Sequence, residues 1–195
     1  MNKKLFLSLF VSILLIISAK NVQAGDPGFY IETSTGKNTV CAGLNISLTG
    51  RSNVSYYTIT EHRWESSTPG IIAATKDQFA FINTRETGIH NITYTVSDER
   101  GNTYSTQISV KVLELPDNNV LINQNDSYEL NEIQLPAELS AREHNSDYEY
   151  QWFRNNIKIE GATSSWYKAN KEGSYRLMTI SDEGCNSYSS VITMR

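Results

Sequence analysis

Beyond residue 24, short stretches in which apolar and polar residues alternate run through almost the whole chain. Asn45-Ile46-Ser47-Leu48-Thr49 alternates polar and apolar. Ile92, Tyr94 and Val96 alternate with Asn91, Thr93 and Thr95, and Ile108, Val110 and Val112 with Gln107, Ser109 and Lys111. In the second half Tyr148, Tyr150 and Trp152 alternate with Glu149 and Gln151, and Phe153 interrupts the polar face. A period of two is that of a strand with one buried face. The runs are rich in Thr, Ser, Tyr, Val and Ile, and Gly, Asn and Asp turns punctuate them. Only Pro136 to His144 has the composition of a helical turn or two. The pattern predicts an all-β protein built as β-sandwiches, because every strand has one apolar face that needs cover.

The first 24 residues read differently. Lys3 and Lys4 precede an apolar run from Leu5 to Ile17 that only Ser8 and Ser12 break, and Val22 and Ala24 occupy the two positions that a signal peptidase reads. This is the layout of a secretory signal peptide over 1–24, cleaved after Ala24. The apolar run is about 13 residues, too short to cross a bilayer core as a helix. Cleavage removes Lys3, Lys4 and Lys20 and no acid, so the 17 basic and 21 acidic residues become 14 − 21 = −7. No second long apolar run follows, so no stable membrane span is expected after cleavage. The mildly acidic balance argues against a nucleic-acid partner, which calls for a basic face. An exported chain meets an oxidising compartment, where a disulfide is permitted.

An internal repeat organises the remainder. Ser97-Asp98-Glu99-Arg100-Gly101-Asn102-Thr103-Tyr104-Ser105-Thr106 lies over Ser181-Asp182-Glu183-Gly184-Cys185-Asn186-Ser187-Tyr188-Ser189-Ser190 at an offset of 181 − 97 = 84, with six of ten pairs identical. The pairing continues with Ile108 over Ile192 and Val110 over Met194, and Trp64 and Trp152 precede the two copies. Self-similarity at such a period predicts two modules, over 26–113 and 119–195. Leu113-Glu114-Leu115-Pro116-Asp117-Asn118-Asn119 forms a short linker where a strand stops at a proline. Two modules end to end, with limited freedom, are expected.

The second module contains Tyr150-Gln151-Trp152-Phe153-Arg154-Asn155-Asn156, Ile159-Glu160-Gly161-Ala162-Thr163-Ser164-Ser165, Glu172-Gly173-Ser174-Tyr175 and Gly184-Cys185. In these stretches it resembles the immunoglobulin-like domains strung along secreted and surface proteins of Gram-negative bacteria. The first, with Val40-Cys41-Ala42-Gly43 and Val96-Ser97-Asp98-Glu99-Arg100-Gly101-Asn102, is similar to the related PKD-type β-sandwich. The resemblance implies that Trp64 and Trp152 pack into sandwich cores. Gly173 suits a corner where the chain turns tightly and the Tyr175 phenol bonds back to backbone. In the resembled modules an early cysteine pairs with a late Gly-Cys of the same domain. Here Cys41 holds the early position of the first module, opposite Gly101 or Asn102, while Cys185 holds the late position of the second. Each module has lost half of the pair. The expectation is therefore two unpaired, mostly buried thiols, ahead of an interdomain bridge that would demand a folded-back arrangement, and of an intermolecular one.

Candidate chemistry is sparse. His62, His90 and His144 are read as exposed or hydrogen-bonded surface residues, and Asp98-Glu99 and Asp182-Glu183 as solvated hairpin turns rather than calcium loops. No catalytic or nucleotide-binding motif is present, and no catalytic residue, cofactor or metal is expected. Two adjacent aromatic pairs, Tyr56-Tyr57 and Trp166-Tyr167, are candidate ligand contacts, because neighbours on a strand point to opposite faces and one of each pair must leave the core. The expected function is adhesion, scaffolding or protein recognition by a secreted, non-catalytic protein, at the surface or in the periplasm of a Gram-negative bacterium. The alternative is a carbohydrate-binding accessory protein that stacks sugars on Trp166 and Tyr167. The partner is then an unidentified protein or glycan.

Overall fold

The computed structural model describes residues 23–24, 28–53, 58–123 and 135–195. The expected leader over 1–24 lies outside the described residues except for the backbone of Gln23 and Ala24. Among the described residues no helix is long and apolar enough to cross a membrane.

The first half contributes Gln23–Ala24 (β1), Phe29–Thr33 (β2), Thr39–Cys41 (β3), Ile46–Ser52 (β4), Ile59–Ser66 (β5), Ile72–Lys76 (β6), Phe79–Ile82 (β7), Gly88–Asp98 (β8) and Thr103–Leu113 (β9). One sheet runs β2-β4-β7-β6; the other runs β1-β9-β8-β5, with β3 also on β9. The second half contributes Val120–Asn123 (β10), Ala137–Ala141 (β11), Glu149–Arg154 (β12), Ile157–Lys158 (β13), Trp166–Ala169 (β14), Gly173–Ile180 (β15), Asn186–Tyr188 (β16) and Ile192–Met194 (β17). Its sheets run β10-β11-β14 and β13-β12-β15-β16, with β17 also on β15. Both halves have the strand order of an immunoglobulin-like fold, and the chain is two such sandwiches in tandem.

The segment with helical composition is strand β11. Its burial alternates, with Ala137, Leu139 and Ala141 inward, and the bonding to β10 and β14 on both sides outweighs the local preference of Ala, Glu and Leu for helix.

Two separate buried clusters form the cores. The first gathers Leu48, Trp64, Ile71, Ile92, Tyr94, Val96, Val110 and Val112; the second gathers Leu139, Trp152, Tyr175, Leu177 and Met194. Trp64 lies directly across from Tyr94, and Trp152 from Leu177. Each indole needs a partner for its N–H: Trp64 donates to the Asp77 carbonyl at 3.2 Å and Trp152 to the Ser164 carbonyl at 3.0 Å. The Tyr175 hydroxyl donates to the Lys171 carbonyl at 2.7 Å, which ties the start of β15 to the corner before it.

In the first core, Gly50 on β4 lets the Tyr94 ring lie against the backbone. A β-carbon there would meet Tyr94 Cε1 at 2.1 Å. The ring has nowhere to retreat, since it packs on Trp64 at 4.4 Å between centroids and its hydroxyl bonds His62 Nδ1 at 2.6 Å. Gly50→Ala is expected to cost about 1–3 kcal/mol through overpacking, measured as a lower urea midpoint at unchanged slope. An unaltered midpoint would show that the ring moves freely.

The two copies of the repeat do not superpose as their identities suggest. In the first hairpin Ser97 pairs with Thr103, and in the second Ile180 pairs with Asn186, so the offset at the turn is 180 − 97 = 83. The turn bonds agree: Asp98 N–H to Asn102 carbonyl corresponds to Ser181 N–H to Cys185 carbonyl. Gly101 and Gly184, at φ 79° and 85°, take the same left-handed position, and that demand for glycine fixes the register. Asp98 thus corresponds to Ser181 rather than Asp182. Further on, Ile92–Ile108 corresponds to Tyr175–Ile192, and the offset becomes 192 − 108 = 84. One extra residue between β16 and β17 accounts for the change and for the break in the last strand.

Candidate functional site

The junction between the sandwiches is covalently closed. Cys41 and Cys185 form a disulfide with α-carbons 5.6 Å apart, so the expectation of two unpaired thiols is overturned. No folding back is needed. Strand β3 pairs with β9 in parallel, with Cys41 beside Leu113, so both strands end where the chain leaves for the linker. Cys185 follows Gly184 in the turn before β16, and Ser187 in β16 donates to the Pro116 carbonyl of that linker at 2.7 Å. The two cysteines therefore meet where the linker passes. Lys111 pairs with Glu183 across the junction, and Arg142 reaches linker residue Asp117 at 3.2 Å. These pairs are partly solvated and add little energy; the disulfide and linker fix the geometry. Among the described residues no group of three or more His, Cys, Asp or Glu is placed to hold a metal ion.

The candidate aromatic pair separates. Trp166 is 58% exposed on the outer face of β14. Tyr167 turns inward and packs on Trp152 and Tyr175, with ring centroids 6.0 and 5.9 Å away. The two rings thus make no joint stacking surface. On the outer face Trp166 is instead in register with Ser140 and then with Leu121, which is also exposed. Tyr56 and Tyr57 lie outside the described residues.

Two other aromatic groupings are visible only with the strands in place. Phe79 and Phe81 both face solvent from β7, an inner strand of its sheet, and Phe81 is 51% exposed. Tyr30 of β2 is exposed on the same sheet. The Phe-Ala-Phe-Ile alternation was readable, but not which of its faces is covered. On the second sandwich the Arg176 guanidinium lies between Phe153 and Tyr188, 5.6 and 4.6 Å from their ring centroids. Phe153, which interrupts a polar run in sequence, is thus half of a cation–π pair of rings.

The histidines do not converge. His62 bonds Tyr94, whose hydroxyl is pushed up to about 12 by burial. His144 stacks near Tyr150. His90 is not a surface residue: only 2% exposed, it meets the Glu86 carbonyl with Nε2 and the Thr68 hydroxyl with Nδ1, both at 3.0 Å. Facing a carbonyl, Nε2 is a donor, and Nδ1 pairs with the threonine hydroxyl, which can donate or accept.

Nor is Asp98 solvated. It is buried, and it accepts from the Asn102 side chain at 2.9 Å and from the backbone N–H groups of Asn102 and Arg100 at 2.8 and 2.9 Å. These bonds, the Asn102 side chain first and with a charge contribution from Arg100, hold its carboxyl below the ordinary 3.8 although burial works in the opposite direction. A depressed folded value means that the stabilisation is present above pH 3.8 and is lost as pH falls below it. Denaturant titrations from pH 7 to pH 2 should show this loss, and Asp98→Asn should be less stable at pH 7 with a flatter acid limb. An acid limb unchanged in the variant would remove Asp98 from the account.

No protein-family model matches the chain, and no curated protein matches it. Among solved structures, murine CEACAM1b is similar at 13% identity and a TM-score of 0.36, over 86% of this chain and 99% of that chain. The fibronectin(III)-like modules of Clostridium thermocellum CbhA are similar at 12% identity and a TM-score of 0.36, over 85% and 92%. Bacteroides ovatus SGBP-B, in complex with a mixed-linkage heptasaccharide, is similar at 14% identity and a TM-score of 0.33, over 86% of this chain and 47% of that chain. At these scores the likeness adds nothing to the strand order, which alone carries the assignment.

Proposed function

We propose that the chain is a non-catalytic recognition protein of two immunoglobulin-like modules, exported and acting at the surface or in the periplasm of a Gram-negative bacterium. The observation that carries this reading is the pair of part-exposed phenylalanines, Phe79 and Phe81, on the outer face of β7 in the first sandwich. Two half-exposed phenylalanines side by side on an inner strand leave apolar surface in water, and such patches mark protein-interaction sites. The disulfide supports an oxidising compartment and holds both sandwiches in one orientation, so a partner meets a preorganised surface. The glycan reading now rests on Trp166 without Tyr167, and the aromatic face of the first sandwich favours a protein partner.

The test is capture from cell-envelope and host-cell extracts by oxidised residues 25–195, beside a Phe79→Ser/Phe81→Ser variant. Saturable capture of a protein by the wild type, weakened at least tenfold in the variant at equal thermal stability, supports the reading. No saturable partner, or equal capture by both, overturns it.

A further inference from the structure

The two sandwiches differ at one place that bears on binding. In the first, β6 covers the outer edge of β7 and completes a sheet of four strands. In the second, the chain passes from β13 to β14 through 159–165 without forming a strand, and among the described residues none pairs with the outer edge of β14. The bonding phase shows what that edge offers. Ala141 N–H donates to the Ser165 carbonyl, so Ser165, Tyr167 and Ala169 exchange bonds with β11. In an antiparallel ladder the alternate residues point away. The N–H and C=O of Trp166 and Lys168 are therefore directed outward, ready to pair with another strand.

Beside this edge lies a cleft of about 320 Å³ between the two sheets. Its lining includes Tyr167, Ile157 and Ile159 together with Arg154, Lys158 and Lys171, and no carboxylate. The concentration of positive charge is local. The chain as a whole carries −4, yet residues 154–172 hold Arg154, Lys158, Lys168 and Lys171 against Glu160 and Glu172. Lys168 stands across from Glu138 on β11, so the three cations of the cleft are the main contribution. Outward backbone groups and a mainly polar, cationic cleft together suit an extended chain that carries carboxylates.

We propose that the outer edge of β14 and the adjoining cleft take an extended acidic peptide of a partner protein, added antiparallel as a fourth strand. Main-chain bonds to Trp166 and Lys168 supply register, and alternate side chains enter the cleft toward Arg154, Lys158 and Lys171. The proposal rests on the recognition reading and gives it a partner class and a site separate from the aromatic face.

The probe is a fluorescein-labelled ten-residue peptide alternating valine or threonine with glutamate, titrated by anisotropy against the oxidised protein. Saturable binding that weakens with salt is expected. It should fall at least tenfold in Lys158→Glu/Lys171→Glu, and equally for the same peptide N-methylated at alternate residues, which keeps every charge but blocks strand pairing. Absence of binding, undiminished binding of the N-methylated peptide, or equal binding to the variant would each overturn the proposal. Polygalacturonate binding as tightly as the peptide, with the same dependence on Lys158 and Lys171, would also overturn it in favour of an acidic glycan. Extract capture by Lys158→Glu/Lys171→Glu separates the two claims. Retained capture with a failed peptide titration removes the edge site alone, whereas no capture by the wild type removes the recognition reading.

Discussion

A chain in which Cys41 and Cys185 are both serine is expected to unfold at a distinctly lower urea concentration than the wild type, and to lose the fixed orientation of its two sandwiches. The bridge joins residues 144 apart in sequence, and closing so long a loop lowers the entropy of the unfolded chain by the equivalent of about 5 kcal/mol in the chain-entropy model. That is comparable with the whole stability of a small domain, on the order of 5–15 kcal/mol. Native-state geometry changes as well. With the bridge intact, the chain crosses between modules twice, once through the linker and once through sulfur. Without it, the Ser187–Pro116 bond and two partly solvated ion pairs are left to hold the angle. Urea titration followed by circular dichroism should show the shift, and small-angle scattering a larger radius of gyration for folded serine variant. Titration of the native wild type should find no free thiol; two reactive sulfhydryls would overturn the bridge itself.

Trp152→Ala should be the most damaging single substitution in the second sandwich. The indole is fully buried at the centre of the smaller core, among Leu139, Tyr175, Leu177 and Met194. Truncating a buried tryptophan costs about 3–5 kcal/mol, and here the Ser164 carbonyl also loses its donor. A module near 77 residues buries a modest fraction of its surface, so this loss approaches its whole margin. The second sandwich is expected to unfold while the first, with its own core around Trp64 and Tyr94, stays folded. Limited proteolysis should then leave a protected fragment ending near the linker. Trp152→Phe keeps most of the ring and should retain the fold at reduced stability. A Trp152→Ala protein with both modules protected would contradict the account of this core.

Period-two alternation marked many of the strands directly, because a half-buried strand must alternate. The repeat marked two modules because a duplicated hairpin keeps its turn. At that turn the structural register differs from the sequence alignment by one residue. Ser-Asp-Glu is conspicuous in the string, but the glycine that can adopt a positive φ decides the alignment, and surface carboxylates on the turn are free to slip past it. The same slip hid the burial of Asp98, whose counterpart is Ser181 and not the exposed Asp182. His90 was misplaced for a related reason: its cover is supplied by Thr68 and the Glu86 carbonyl, and no local pattern announces contacts of that kind.

By itself, the sequence determined that this is an all-β chain of two sandwich modules, since alternation, turn residues and repetition can be read along the string. Only the tertiary structure decided how those sandwiches are joined and which surfaces they leave open. The disulfide depends on β3 running parallel to β9, which carries Cys41 to the linker end, and parallel pairing has no signature along the string. The separation of Trp166 from Tyr167, the bare face of Phe79 and Phe81, and the unpaired edge of β14 follow from which neighbours each strand has. Neighbours come from the fold, and these surfaces became visible only once the strands were paired.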